Sequence, residues 1–221
     1  MIINKYPLVS IIIPCFNSGN ALKRAIDSIL NQTWPNIEIV LVNDGSYDKK
    51  TLEIFKTYKD LPQLVLIDQN NKGLPSARNI GAKTALGDFL YFLDSDDWIE
   101  PKAIDFYYKF LEKYDDKCYV FSDIILEGCT TKIVKKEYNF FEQMFINQIP
   151  YSIFISKSNW LKNGGYDEKM LNGYEDWDFN IRLGMIGLYG QRLPKPLFHY
   201  NVSYSGMLLS NSSKIHPQIW K

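Results

Sequence analysis

The alternation of strand-like and helix-like segments in the first hundred residues constrains the fold of this 221-residue chain most strongly. Runs rich in aliphatic, β-branched or aromatic residues predict buried strands at four places: Leu8 to Ile13, Ile37 to Val42, Leu64 to Ile67 and Phe89 to Leu93. The segments between these runs carry apolar residues at helical spacing. Strands that alternate with helices predict an α/β fold, with a Rossmann-like, mostly parallel central sheet and helices on both of its faces.

The pattern loosens after Pro101, where shorter elements follow one another. The predicted helices span about residues 101–114, 140–147 and 174–186, and the predicted strands lie near 119–126, 130–134, 152–155 and 197–202. No internal repeat or low-complexity linker separates these elements, so we expect one continuous domain over residues 1–205. The polar tail at 206–221 ends without a stop signal, which is compatible with a cut from a longer protein.

The amino-acid composition limits the cellular compartments and the classes of binding partner that we expect for this protein. Lys plus Arg and Asp plus Glu are 25 each, and this balance argues against nucleic acid as a partner. Three cysteines without a CxxC pair favour a reducing, cytoplasmic compartment. The N-terminus shows no signal peptide, and the longest apolar runs are strand-sized. We therefore predict a soluble cytoplasmic protein, with peripheral contact at the inner face of the membrane left open.

Polar clusters follow three of the predicted strands: Cys15 to Asn17, Asn43 to Ser46 and Asp94 to Asp97. The carboxyl ends of parallel strands form one edge of a sheet, where ligands bind in α/β proteins, so these clusters should converge. In the last cluster, carboxylates at i and i+2 can hold a hard divalent cation together with phosphate oxygens. A solvated acidic turn that caps the next helix is an equally good interpretation of that cluster alone.

Other candidate residues are ambiguous when each is taken alone. Asp44 at a strand tip can accept hydrogen bonds from a ribose or base, but a simple Asx-type turn is the more common role. Arg78, one turn into a helix, suits phosphate or a base carbonyl, although a surface ion pair is the more common role. The acids at 174–178 are ordinary first-turn residues of a helix. His199 ends an apolar stretch, where a lone histidine is more often structural than a ligand.

Taken together and in order, these segments resemble the family 2 glycosyltransferases over roughly residues 8 to 205. The matching segments are VSIIIPCFN at 9–17, VNDGS at 42–46, NKGLPSARNIG at 71–81, LDSDD at 93–97, GGYDE at 164–168 and EDWD at 175–178. The resemblance implies the GT-A fold, with a nucleotide-sugar half at about 1–100 and an acceptor half, a small C-terminal subregion, at about 101–205. It also implies inverting transfer of a sugar from a nucleotide diphosphate, usually UDP, to a hydroxyl of a glycan or glycolipid.

The same resemblance assigns roles to individual residues. The nucleotide-sugar pocket would be lined by residues from four segments: Pro14, Phe16, Asn17, Asp44, Arg78, Asp94 and Ser95. Asp96 would bind a divalent cation, Mg²⁺ or Mn²⁺, and His199 lies where some relatives place a further metal or phosphate ligand. Asp176 matches the catalytic base. Its neighbours Glu175 and Trp177 are assigned to the acceptor side, and Glu175 is the second candidate for the base.

The chain departs from the family at Asn201, where relatives often carry an arginine that contacts phosphate. The Gln-x-x-Arg-Trp signature of processive synthases is absent, so a single transfer is favoured over polymerisation. A sugar-phosphate nucleotidyltransferase or a dinucleotide-binding dehydrogenase would need a glycine-rich loop after the first strand, where this chain has one glycine. A non-catalytic nucleotide- or glycan-binding module derived from the fold stays open, although Asp96 and Asp176 are both present.

Overall fold

The computed structural model describes residues 6–114 and 116–202, so the predicted tail at 206–221 lies outside the described residues. The first half alternates strands and helices: β1 (Val9–Cys15), α1 (Asn20–Leu30), β2 (Ile37–Asp44), α2 (Lys49–Tyr58), β3 (Leu64–Gln69), α3 (Leu74–Thr84) and β4 (Phe89–Phe92). The second half has mostly shorter elements: β5 (Trp98–Ile99), α4 (Ala103–Leu111), β6 (Cys118–Gly128), β7 (Lys132–Val134), α5 (Phe140–Gln143), β8 (Phe154–Ser156), α6 (Lys157–Asn163), α7 (Glu175–Met185) and β9 (Tyr189–Val202). In the part of the chain that is described, no helix is both long and apolar enough to cross a bilayer.

The strands form one nine-stranded sheet in the order β3-β2-β1-β4-β8-β6-β9-β5, with β7 paired to β6. Strands β1 to β4 pair in parallel. Strand β8 is antiparallel to β4 and to β6, while β9 runs parallel to β6. Every residue of β1 is buried, which explains why this run is apolar apart from Ser10. The predicted α/β class is confirmed, and β4 marks the point where the parallel half gives way to the mixed half.

Local chemistry explains how the helices begin and how closely they approach the sheet. The Asp48 side chain accepts hydrogen bonds from the first backbone N–H groups of α2 and caps that helix. Pro75 stands in the first turn of α3, where its missing N–H costs nothing. Gly81 lets α3 lie directly on β1, because a Cβ at this position would come within 2.6 Å of Ile12 Cγ2. This contact fixes α3, and with it Arg78, over the sheet.

The sequence pattern misses β5 and α6 and misplaces two boundaries. The helix predicted at 140–147 ends at Gln143. Strand β9 begins at Tyr189, well before the predicted strand near 197–202. The prolines at 194 and 196 hide the strand in the sequence, because proline is unfavourable inside a ladder. The structure accommodates them at an irregularity in the pairing with β6, between Ser122 and Ile124, where β-bulges tolerate proline.

Candidate active site

Three loops that follow β1, β2 and β4 form one wall at the carboxyl edge of the sheet. The Asn17 side chain accepts hydrogen bonds from the backbone N–H groups of Tyr47 at 2.9 Å and Asp48 at 3.0 Å. Asn17 itself has a φ of 52°, a left-handed conformation that asparagine tolerates better than most residues. The hydroxyls of Ser18 and Ser95 are hydrogen-bonded to each other and join the loop after β1 to the acidic loop after β4. The structure therefore brings the three predicted polar clusters together.

Two exposed aromatic residues of these loops, Phe16 and Tyr47, pack against each other and are called the aromatic corner below. Pro14 is buried inside β1 opposite Val42, so it contributes backbone shape rather than an accessible surface. The next aromatic residue, Phe16, is 45% exposed. Its ring meets Tyr47 edge to face, with the centroids 5.9 Å apart. Tyr47 is 77% exposed and was not singled out from the sequence, because a tyrosine after a turn carries no local signal of a ligand.

The Asp44 carboxylate organises the loop that leads into α3. One oxygen accepts hydrogen bonds from Gln69 Nε2 at 2.7 Å and from the Lys72 backbone N–H at 2.8 Å. The other oxygen accepts the Gly73 N–H at 2.9 Å, and the residue is buried. These bonds make Asp44 a structural centre of the loop, and its predicted contact with the nucleotide remains a prediction.

Arg78 is the electrostatic centre of the site. Its guanidinium is 1% exposed and forms ion pairs with Asp94 Oδ1 at 2.7 Å and Glu175 Oε1 at 2.6 Å. The rings of Tyr151 and Tyr166 lie 4.8 Å and 5.4 Å from the guanidinium carbon. Burial alone would lower the pKa of Arg78, but the two carboxylates outweigh it and raise that pKa well above its ordinary value. Arg78 therefore stays charged and joins the acidic loop to the first turn of α7.

The acids of the cluster after β4 have different surroundings. Burial raises the pKa of Asp94 to about 6, against the lowering effect of Arg78 and with a further rise from Asp96. Asp97 is buried, and its carboxylate accepts the Tyr151 hydroxyl and the Asn201 backbone N–H at 2.7 Å. Asp97 therefore fastens β9 to the acidic loop.

Asp96 is the acid of this cluster that is suited to an external ligand. It is half-buried, and its carboxylate has no side-chain hydrogen bond from the described residues. Within residues 6–114 and 116–202, no group of three or more His, Cys, Asp or Glu residues is arranged to hold a metal. Magnesium is commonly bound by one or two carboxylates together with substrate phosphates rather than by an all-protein cage. The hard oxygen donors of Asp96 and its neighbour Asp94 fit that kind of shared site.

The first turn of α7 carries the candidate catalytic acids, and their partners differ. Glu175 is buried, and its carboxylate forms an ion pair with Arg78. Asp176 is half-buried and accepts a hydrogen bond from Asn147 Nδ2 at 3.1 Å. Burial raises the pKa of Asp176 to about 6, with a further rise from Glu175 and an opposing effect of Arg78. Trp177 is buried and donates its indole N–H to the Gln143 carbonyl, so it holds α5 against α7.

His199 lies at the margin of this site with both ring nitrogens engaged. Nδ1 is 2.7 Å from a Glu127 carboxylate oxygen, and Nε2 is 2.8 Å from one of Glu100. The ring also stacks on Trp98 with the centroids 4.8 Å apart. In this arrangement neither nitrogen is free to coordinate a cation. The metal or phosphate role of His199 remains a prediction, and it would require the ring to leave one of the two carboxylates.

Comparison of the sequence with known proteins shows the family to which the chain belongs. The family model described as glycosyl transferase family 2 matches residues 10–168, more than half of the chain. Glycosyltransferase GlyA of Streptococcus pneumoniae is 43% identical over 107 residues, which are 48% of this chain and 15% of that protein. Hyaluronan synthase of Pasteurella multocida is 31% identical over 193 residues, which are 85% of this chain and 20% of that protein. The chain thus spans a small part of these relatives.

The fold has counterparts among solved structures. The structure of S. aureus TarS 1-349 in complex with UDP-GlcNAc superposes with a TM-score of 0.77 at 20% identity, over 91% of this chain and 60% of that one. The complex of the same protein with UDP gives a TM-score of 0.73 over 89% of this chain and 61% of that one. At this identity the likeness speaks for the fold alone, and it confirms the GT-A fold that the sequence predicts.

Proposed function

The chain belongs to glycosyl transferase family 2, and from this premise we propose that it transfers a single sugar from a UDP-sugar to a hydroxyl of a glycan or lipid-linked acceptor, with inversion at the anomeric carbon. The observation that carries the proposal is the buried Arg78, which is paired on one side with Asp94 and on the other with Glu175. This contact joins the acidic loop after β4 to the first turn of α7, which carries the candidate base, and it supports a single site formed by both.

The donor side of the proposed site is the wall formed by the loops after β1, β2 and β4. The exposed Phe16 ring offers a stacking surface for a nucleobase, and Tyr47 meets it at an interplanar angle of 76°. A planar base can stack on one ring of such a corner while its edge meets the other. Two solved structures of similar fold have UDP or UDP-GlcNAc bound, which supports a uridine nucleotide as the donor.

Asp176 is proposed as the general base. An acceptor hydroxyl attacks the anomeric carbon more readily when a carboxylate takes its proton. Inversion needs this base on the face opposite the leaving diphosphate, so the base must come from an element other than the acidic loop. Glu175 neutralises Arg78 and is buried, whereas Asp176 is half-buried and has the pKa of about 6 that suits a base at neutral pH.

A divalent cation, Mg²⁺ or Mn²⁺, would be held by Asp96 with Asp94 and would neutralise charge on the diphosphate. These two carboxylates lie beside the wall formed by the loops after β1, β2 and β4. Asp94 is oriented by Arg78 and by the Tyr151 hydroxyl, which accepts the Asp94 backbone N–H at 2.8 Å. Arg24 donates to the backbone carbonyl of Asp96 at 3.2 Å and so helps to fix the turn on which that carboxylate stands.

The proposal is tested with the protein itself and a panel of UDP-sugars in the presence of Mn²⁺. We expect one or a few UDP-sugars to raise the melting temperature and to release UDP, faster when acceptor glycans are added. UDP binding without any UDP release from any sugar and acceptor would favour the non-catalytic binding module instead. Failure of every UDP-sugar to bind would refute the assignment of the donor.

A further inference from the structure

We propose that Asn147 positions the carboxylate of Asp176, and that the buried side chain of Gln143 fixes the direction in which Asn147 donates. Neither residue belongs to a motif found in the sequence: Gln143 is the last residue of α5, and Asn147 lies in the segment between α5 and β8. The inference rests on the proposed function, because it concerns the base of that reaction. Asn147 acts through Asp176 and is therefore a positioning residue.

A chain of hydrogen bonds determines the orientation of both amides. The Gln148 backbone N–H, which can only donate, points to Gln143 Oε1 at 3.0 Å. Gln143 must therefore present its Nε2 to Asn147, whose Oδ1 lies 3.5 Å away. With Oδ1 turned towards Gln143, Asn147 presents Nδ2 to Asp176 Oδ2 at 3.1 Å. One backbone N–H thus settles the orientation of two side-chain amides and makes Asn147 a donor to the carboxylate.

The segment that carries these residues is tied to α7 at two points. The indole of Trp177, the residue after the candidate base, donates to the Gln143 carbonyl. Further along, the Phe140 ring fills the space above Gly184, where a Cβ would come within 2.0 Å of that ring. Gln143 is fully buried between these points. Asn147 is therefore attached to a segment docked on α7.

This arrangement distinguishes the two oxygens of Asp176. Oδ2 accepts a hydrogen bond from the Asn147 side chain, and the carboxylate also accepts one from the Trp177 backbone N–H, whereas Oδ1 accepts no side-chain hydrogen bond from the described residues. In the proposed step the acceptor oxygen forms a bond to the anomeric carbon and loses its proton to Asp176 Oδ1. The bond from that carbon to the diphosphate breaks, and UDP leaves with its electron pair. Because the hydrogen bond from Asn147 holds Oδ2 in place, Oδ1 points in one direction, from which it can accept this proton.

The surroundings of Asp176 predict how removal of Asn147 acts on its titration. The charged and titratable groups that face it are Glu175, Arg78, Tyr166 and Tyr200. Burial and Glu175 raise the pKa of Asp176, while Arg78, the Asn147 hydrogen bond and the Trp177 backbone N–H lower it. A hydrogen bond to a carboxylate favours its ionised form, so loss of the Asn147 donor should raise that pKa further.

The test is the variant Asn147→Leu, which keeps the size of the side chain and removes its donor. We expect the pKa of Asp176, followed by carbon NMR titration, to rise by about one pH unit. The ionised fraction of Asp176 at pH 7 then falls from about nine tenths to about one half. The acidic limb of the kcat profile for UDP release should move by the same amount, while KM for the UDP-sugar stays unchanged.

Gln148→Ala is the matched control, because it removes a half-buried side chain that bonds to Asn139 and Glu142, not to Asn147 or Asp176, and it keeps the backbone N–H that orients Gln143. We expect wild-type titration and kinetics from it. The titration is read without turnover, so it decides the role of Asn147 even if the protein proves inactive. An unchanged Asp176 titration in a folded Asn147→Leu variant would overturn the inference. Absence of UDP release from the wild type would instead refute the proposed function.

Discussion

Arg78 and Glu175 are separated by 97 positions in the chain, and their side chains form a buried ion pair with Nη1 and Oε1 2.6 Å apart. The pair brings the first turn of α7 to the edge of the sheet that carries Asp94. It also separates the functions of two neighbouring acids, since Glu175 neutralises the guanidinium and Asp176 does not.

Replacing Arg78 tests how much its two ion pairs contribute to the free energy of unfolding. Arg78→Ala leaves Asp94 and Glu175 as uncompensated charges in a buried site, and we expect a loss of about 3–5 kcal/mol in the free energy of unfolding. Urea denaturation at pH 7 measures the loss. Lys50→Ala, which breaks an exposed pair with Glu53, serves as the control and should unfold like the wild type. A small effect of Arg78→Ala would mean that the ion pairs contribute little.

Asp176→Asn and Glu175→Gln distinguish the two candidates for the base. We expect Asp176→Asn to keep the affinity for the UDP-sugar and to lower the transfer rate by about 10²-fold or more, because only the proton acceptor is lost. Glu175→Gln should instead lower the stability, since Arg78 loses a buried partner. Comparing kcat with the melting temperature of each variant checks this. Near-normal turnover of Asp176→Asn would move the base to another residue.

The raised pKa of Asp176 predicts an effect on stability that depends on pH. Its pKa is about 6 in the folded protein and 3.8 for the ordinary group, so the folded state retains the proton to higher pH. The stability contribution of this group therefore falls as pH rises from about 4 to 6. Asp176→Asn should be more stable than the wild type at pH 7, by about 1–3 kcal/mol. Denaturation at pH 7 and at pH 4 should show this gain shrinking at the lower pH, and a constant gain would contradict the mechanism.

Asp96→Ala tests the shared cation site. The Asp96 side chain is half-buried without a side-chain partner in the described residues, so we expect the fold to survive its removal. Calorimetric titration of UDP with and without Mn²⁺ should show that the metal no longer strengthens binding. Asp97→Ala offers a contrast, because it removes the acceptor of Tyr151 and Asn201 and should destabilise the protein. Full enhancement by Mn²⁺ in Asp96→Ala would exclude Asp96 as a ligand.

Phe16→Ala tests the aromatic corner. Stacking of a base on an aromatic ring contributes about 1–3 kcal/mol, so we expect UDP affinity to fall by about 5- to 150-fold. Phe141→Ala removes an exposed ring on α5 and should leave UDP affinity unchanged. Fluorescence or calorimetric titration with UDP gives both constants. Equal affinities for the two variants would place the base elsewhere.

The carboxyl edge of the sheet was predictable from the sequence because strand and helix periodicities are local properties. Apolar runs in the sequence mark β1 to β4, and the polar clusters after three of these strands mark one end of the sheet. The resemblance to family 2 is confirmed by the family match over residues 10–168. Elements whose pairing depends on distant partners were less visible, such as β9 with its two prolines opposite an irregular stretch of β6.

The state of each carboxylate was decided by tertiary structure alone. The sequence presents Asp94, Asp96 and Asp97 as one acidic cluster, yet the first pairs with Arg78 and the third accepts a backbone N–H of β9. Asp96 has no side-chain partner within residues 6–114 and 116–202. The same holds on α7, where Glu175 and Asp176 are adjacent but have partners from different elements. Side-chain ionisation depends on burial and on charges within a few ångströms, and these neighbours come from positions far away in the chain. No local pattern encodes them, so the sequence determines the candidate acids and the fold determines the partners of each carboxylate.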